Sequence, residues 1–210
     1  MSKILSFNEI SEILINSQKP SKYFEELLLS GKLDEEPFIK LKRLKDVPQS
    51  LKYHPEGNVW NHIMLVIDNG AYYKKYVNDK ESFMWALLLH DIGKLKTTKL
   101  RKGRWTSYNH DKVGAIDGRE FLISLKVKDY DFIDKVEKLI KYHMHFLYIT
   151  KNLPFGNEIK MIEEVNLNDI SLVFLCDRLG RGGLNKEDKN KIIESIEDFM
   201  KKYNLNVNLK

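Results

Sequence analysis

The sequence predicts an all-α fold, and three observations carry that prediction. No segment alternates apolar and polar residues convincingly over a strand's length. The 210 residues include only 11 glycines and 5 prolines, too few for a turn-rich β architecture. Apolar residues recur instead at helical spacing between recognisable starts and stops.

The first helix is expected over residues 7–18, with Ser6 as N-cap and Glu9 completing a capping box. Pro20 and Ser21 open a second, over 22–30, which Gly31 closes. A short helix over 36–44 precedes an irregular stretch bracketed by Pro48 and Pro55. A long helix follows over 59–77, with Ile63, Val66, Ile67 and Gly70 along one stripe. Residues 81–92 form the next, stopped by Gly93. Residues 94–109 are the longest interruption and read as a β-hairpin or an ordered loop. Helices are then expected over 110–125, 130–145, 157–165, 168–179 (ended by Gly180) and 186–202.

Composition excludes several classes. Hydrophobic content of 42% and charged content of 31% fit neither a disordered tail nor a fibrous repeat. The longest strongly apolar run, residues 83–89, is far shorter than the ~20 residues of a membrane span. The N-terminus turns polar at Asn8-Glu9, too early for a secretory segment. A single cysteine, Cys176, excludes an internal disulfide framework and a zinc ribbon. A cytoplasmic protein without a membrane partner is the expectation. The net charge of +5 is mild, so the placement of charge matters more than its sum.

Two helices stand out. Residues 83–89 are apolar all round, and residues 170–176 nearly so, which marks both as buried on every side. Each is followed at once by ionisable residues, His90-Asp91 and Asp177. A buried carboxylate is expensive unless it is paired or ligates a metal. All six histidines lie between residues 54 and 145. The candidate ligands are His62, His90, Asp91, His110, His143 and Asp177, with Asp91 as the bridge between two ions. Their imidazole and carboxylate donors suit Fe, Mn, Co or Ni better than Mg. His143 and His145 stand roughly 200° apart on a helix, so only one can face the site. His143 has the right phase, which sends His145 to the surface or to a supporting position. His54 reads as structural or supporting.

These residues reproduce the H…HD…D signature of the HD-domain metal-dependent phosphohydrolases. More narrowly, residues 53–62, 89–94 with Thr97-Thr98, Trp105, Asn109-His110 with Gly114, Tyr142-His143 and 176–181 resemble the HD region of bacterial CCA-adding tRNA nucleotidyltransferases. Residues 19–24 and 30–33 resemble the segment that precedes that region, so the likeness covers roughly residues 18–183. No Gly-Ser followed by an Asp-x-Asp pair occurs, so the nucleotidyltransferase head is absent and CCA addition is not expected. The resemblance implies an HD-domain helical bundle over residues 1–210. Residues 1–50 would pack as a helical segment on a catalytic core at 51–183, and 184–210 would supply a C-terminal helix.

The resemblance also implies phosphoester hydrolysis by metal-activated water, of the 2′,3′-cyclic nucleotide phosphodiesterase, nucleotidase or phosphatase type. One ion would sit on His62, His90, Asp91 and Asp177. His110 and His143, with Asp91 shared, would hold a second ion or grip phosphate beside a single one. Lys94, three residues past Asp91, and Arg181, four past Asp177, are the catalytic and phosphate-binding cations. Arg181 shares the face of Asp177 if the helix continues. Trp105 is a candidate for stacking on a base or for packing in the core. Lys94, Lys96, Lys99, Arg101, Lys102 and Arg104 fall within eleven residues that contain no acid. The expected substrate is a small nucleotide or an RNA 3′-terminal phosphate. The alternative is a non-catalytic tRNA-binding module beside a separate nucleotidyltransferase. Oligomeric state is left open.

Overall fold

The computed structural model describes residues 5–205, 208 and 209. The elements run α1 (Phe7–Asn16), α2 (Pro20–Leu29), α3 (Ile39–Arg43), α4 (Val59–Tyr73), α5 (Lys80–Leu89), α6 (Lys94–Thr97), β1 (Lys99–Arg101), β2 (Arg104–Thr106), α7 (His110–Ser124), α8 (Tyr130–Tyr142), α9 (His145–Thr150), α10 (Glu158–Glu164), α11 (Leu167–Leu179) and α12 (Lys186–Lys202). The fold is all-α. Its one described sheet is the antiparallel pair β1–β2, with Leu100 opposite Trp105. None of the described helices is long and apolar enough to cross a membrane.

The packing follows from where apolar side chains fall. From Ser82 to Leu89 every residue of α5 is buried, so this helix is the axis of the bundle. It contacts α1, α4, α8 and α11. Each fully buried Leu, Phe or Met there contributes roughly 1.5–3 kcal/mol. The Trp85 indole N–H donates to Ser11 Oγ at 2.8 Å, so α1 satisfies the polar atom of the largest side chain in that axis. α8 presents Phe132, Ile133, Val136, Leu139 and Ile140 to the core and its charged residues to solvent. α2 joins α4 through Asp68, which accepts from the backbone N–H and hydroxyl of Ser21 at 2.9 and 2.7 Å.

The chain departs from the expected boundaries where the helix ends are tightened. The first helix starts with the expected Ser6–Glu9 capping box and stops at Asn16. α4 gives way to a 3-10 turn at Lys74–Tyr76. α5 stops at Leu89 instead of residue 92, and the helix expected over 130–145 is broken at residues 143–144 into α8 and α9. At both breaks a histidine Nδ1 donates to the carbonyl three residues back, from His90 to Leu87 and from His143 to Ile140, each at 2.7 Å. The imidazole occupies the acceptor, the last turn tightens, and the chain leaves the helix axis.

A candidate metal centre

His62 lies in the second turn of α4, whose N-terminus is capped by Asn58. His90 caps the C-terminus of α5 and Asp91 follows it. His110 opens α7, His143 caps α8, and Asp177 lies near the end of α11. Two glycines let these elements meet. A Cβ at Gly93 would stand 2.3 Å from the His110 carbonyl oxygen and 2.5 Å from Gly114 N. The turn after Asp91 therefore lies directly against the start of α7. A Cβ at Gly180 would stand 2.3 Å from Val66 Cγ2, so the end of α11 presses on α4 and sets Asp177 beside His62.

The six expected ligands converge. One carboxylate oxygen of Asp91, Oδ2, lies 3.3 Å from His90 Nε2 and 3.8 Å from His62 Nε2. The other, Oδ1, lies 3.4 Å from His110 Nε2 and 3.9 Å from His143 Nε2. Asp177 Oδ1 is 2.9 Å from His62 Nε2 and 3.9 Å from His90 Nε2. Asp91 thus faces two groups of imidazoles, one with each oxygen. The triads His62–His90–Asp91 and Asp91–His110–His143 each bring their donor atoms within 4.8 Å of one another.

Tautomers follow from the outer nitrogens. His90, His110 and His143 each donate Nδ1–H to a backbone carbonyl three residues earlier, at 2.7 Å. A carbonyl only accepts, so each neutral ring turns a bare Nε2 inward. His62 Nδ1 likewise faces Glu56 Oε1 at 3.1 Å and the Gly180 carbonyl at 3.2 Å. Lone pairs then confront one another. His110 and His143 meet Nε2 to Nε2 at 3.2 Å. His90 Nε2 and Asp91 Oδ1 are buried without a hydrogen bond among the described residues, while Asp91 Oδ2 has only the Lys94 ammonium, at 2.7 Å. Buried acceptors facing acceptors are costly unless a cation sits among them, and the donor set fits a divalent metal.

The electrostatics agree. Burial opposes ionisation of Asp91, but the Lys94 ammonium and His90 hold its carboxyl well below the usual range. Burial likewise opposes charge on Asp177, and the hydrogen bond from His62 outweighs it. Burial would lower His62, yet its bonds to Asp177 and Glu56 raise it to about 9. Burial dominates at His110, lowered to about 4, and lowers His143 as well. His62 therefore takes up a proton readily, while His110 and His143 keep their rings neutral and ready to donate electrons.

The centre opens into a cleft of about 540 Å³ whose walls include Lys94, Trp105, Leu147, Arg178 and Arg181. Four of the residues singled out from sequence take definite places here. Lys94 is buried, its Nζ 2.7 Å from Asp91 Oδ2 and 2.7 Å from Gln49 Oε1, so it is tied to the carboxylate as well as facing the cleft. α11 ends at Leu179, so Arg181 follows the helix instead of riding on it, and it forms no ion pair with Asp177 among the described residues. His145 is buried, its ring 4.6 Å from that of Tyr142 and apart from the ligand cluster. Trp105 is 41% exposed, which places it on the cleft wall and not in the core.

Three residues in or behind the cleft wall had no role assigned from sequence. Glu56 accepts from His54 Nδ1 at 2.8 Å, faces His62 Nδ1, and takes the Gly182 N–H on its second oxygen at 2.9 Å. Those bonds outweigh burial and hold its carboxyl far below the usual range. His54 therefore supports the site through Glu56. Gln49 orients Lys94. Arg178 stacks over the Phe146 ring, its guanidinium carbon 4.6 Å from the centroid. Glu56 sits six residues before His62 and outside α4, where helical periodicity gives no signal.

The fold and this cluster define an all-α protein with a candidate divalent-metal centre built from histidines and aspartates. The chain belongs to the HD-domain family, whose sequence profile matches residues 59–182. It therefore falls in the metal-dependent phosphohydrolase superfamily. It is similar to the "Multifunctional CCA protein" of Pasteurella multocida, 28% identical over 177 residues, covering 80% of this chain and 41% of that protein. The protein of the same name from Haemophilus influenzae is 29% identical over 191 residues, covering 87% and 45%. That from Actinobacillus pleuropneumoniae is 33% identical over 129 residues, covering 61% and 30%. The chain thus spans less than half the length of these curated relatives.

Proposed function

We propose that the protein is a metal-dependent phosphohydrolase acting on nucleotide phosphoesters, 2′,3′-cyclic phosphates among them. The observation that carries this reading is the convergence of four inward Nε2 atoms on the two oxygens of one buried aspartate. His62, His90, Asp91 and Asp177 would hold one ion, and His110 and His143 with Asp91 a second. A bound divalent ion supplies hydroxide near neutral pH and offsets charge on phosphoryl oxygens. The chain's own groups do the rest. Backbone carbonyls and Glu56 fix the tautomers, and Lys94 brings positive charge to the edge of Asp91. Arg181 binds substrate phosphate, and Trp105 offers an exposed face to a base. Imidazole-rich donors favour Fe, Mn, Co or Ni over Mg.

The relatives' name and the resemblance to CCA-adding enzymes bring RNA 3′-ends, tRNA included, into the proposed substrate class. The basic hairpin supports a second reading, an RNA-binding module without catalysis. Metal analysis of the purified protein, joined to a hydrolysis assay on 2′,3′-cyclic nucleotides with and without added Mn²⁺ or Co²⁺, separates the two. Retained metal and metal-dependent turnover are expected. A metal-loaded protein that binds RNA and hydrolyses none of these substrates would leave the binding module standing.

A further inference from the structure

The described structure has four half-buried arginines, and two of them have partners. Arg119 pairs with Asp134 and Glu137, and Arg101 donates to Thr106 while lying over Tyr108. Arg178 and Arg181 differ. Both line the cleft beside the candidate metal centre, and neither has a carboxylate partner among the described residues. Asp177, the adjacent acid, is engaged with His62 at 2.9 Å. Arg181 Nε is buried with no hydrogen-bond partner. Phe146 holds Arg178 in place from below without satisfying any of its N–H groups. Two guanidinium groups side by side, partly desolvated and unpaired, are costly on their own and are relieved by a shared anion.

They stand on the Asp177 side of the centre, away from Lys94. A side recess of the cleft is lined by Phe146, Phe174, Arg178 and Arg181 together with His143 and Asp177, and it does not include Asp91 or Lys94. Lys94 serves the Asp91 side, while the arginine pair serves the α9 side. We propose that Arg178 and Arg181 form a subsite for a second phosphate of the substrate, so that the cleft takes a ribonucleotide chain end carrying two phosphates ahead of a nucleotide carrying one. This rests on the phosphohydrolase reading above and reassigns Arg181 from the reacting phosphate to its neighbour. The planar guanidinium fork suits two phosphate oxygens where an ammonium offers a point charge.

The test is calorimetric binding to the full chain in the presence of Mn²⁺, using adenosine 2′-monophosphate and adenosine 2′,5′-bisphosphate. Hydrolysis of cyclic nucleotides is measured separately, so a failure of the catalytic reading does not mask the result. The bisphosphate is expected to bind about tenfold more tightly, the worth of one charge-assisted hydrogen bond. Arg178→Gln and Arg181→Gln should each erase most of that advantage, and Arg178→Lys should keep part of it. Lys75→Gln, which removes the same charge far from the cleft, should leave the advantage intact. Equal affinities in the unaltered protein, binding of neither ligand, or an advantage that survives both glutamine variants would overturn the subsite.

Discussion

Asp91 is the candidate ligand common to both halves of the site, because each of its oxygens faces a different pair of imidazoles. Asp91→Ala is therefore expected to remove metal and activity together, and full metal occupancy by elemental analysis would refute the shared role. His110→Ala and His143→Ala address the second ion. For a two-metal site each should fall from about two ions to one per chain. For a one-metal site, content stays constant and phosphate binding weakens. Glu56 acts one layer out, holding His62 through Nδ1. Glu56→Ala should lower metal affinity by about 10–100-fold, and Glu56→Gln should recover part of it, measured by competition with a chelating dye. Sequence pattern reached the six candidate ligands because each falls on or beside a predicted helix, and His90, Asp91 and Asp177 follow apolar runs whose burial is legible from composition. It did not reach Glu56, Gln49 or Arg178, because these act through contacts between segments distant in the chain, such as Glu56 with Gly182.

At the level of elements, the site depends on how closely the turn after α5 approaches α7. Gly93→Ala sets a Cβ against backbone atoms of His110 and Gly114, which cannot swing aside. About 1–3 kcal/mol of destabilisation is expected, with a loss of metal that a chelator titration would read alongside thermal unfolding. The C-terminal end of α8, next to His143, is anchored by Glu164, which accepts from Lys141 at 2.6 Å and from the Tyr142 hydroxyl at 2.6 Å. Those bonds lower Glu164 from 4.5 to about 2. A carboxyl depressed in the folded state stabilises it fully above the unfolded value of 4.5, and the gain is lost as pH falls toward 2. Solvent screening at this rim position limits the gain to about 1 kcal/mol. Denaturant unfolding of Glu164→Gln should therefore show that deficit at pH 7 and a shrinking one below pH 4.5; a pH-independent deficit would assign the effect to packing. The breaks at residues 90 and 143 were not legible from periodicity, since α5 and α8 both carry apolar character up to their histidines. A side-chain bond to the i−3 carbonyl ended them.

Across the whole molecule, the basic run over 94–104, which ends in the hairpin, holds six cations and no acid, and the structure sorts its members. Lys96 pairs with the buried Asp117, and Arg101 ties the hairpin to itself. Lys99, Lys102 and Arg104 remain exposed. Neutralising those three should weaken RNA binding and flatten its salt dependence, the log–log slope falling by about 0.7 for each phosphate no longer engaged. Filter binding over a salt series measures this, and an unchanged slope would make the hairpin a solvated surface. By itself the sequence determined the helical class, the capped start of α1, the buried character of α5 and α11, and which ionisable residues burial would strand at their ends. Those features depend on neighbours within a few residues. Only the tertiary structure decided that His62 meets Asp177 across 115 positions, that Lys94 is bound to Asp91, and that Arg178 and Arg181 share a cleft wall with no carboxylate paired to either among the described residues. Such juxtapositions depend on how closely whole helices approach, and two glycines without a Cβ set that approach at the metal centre.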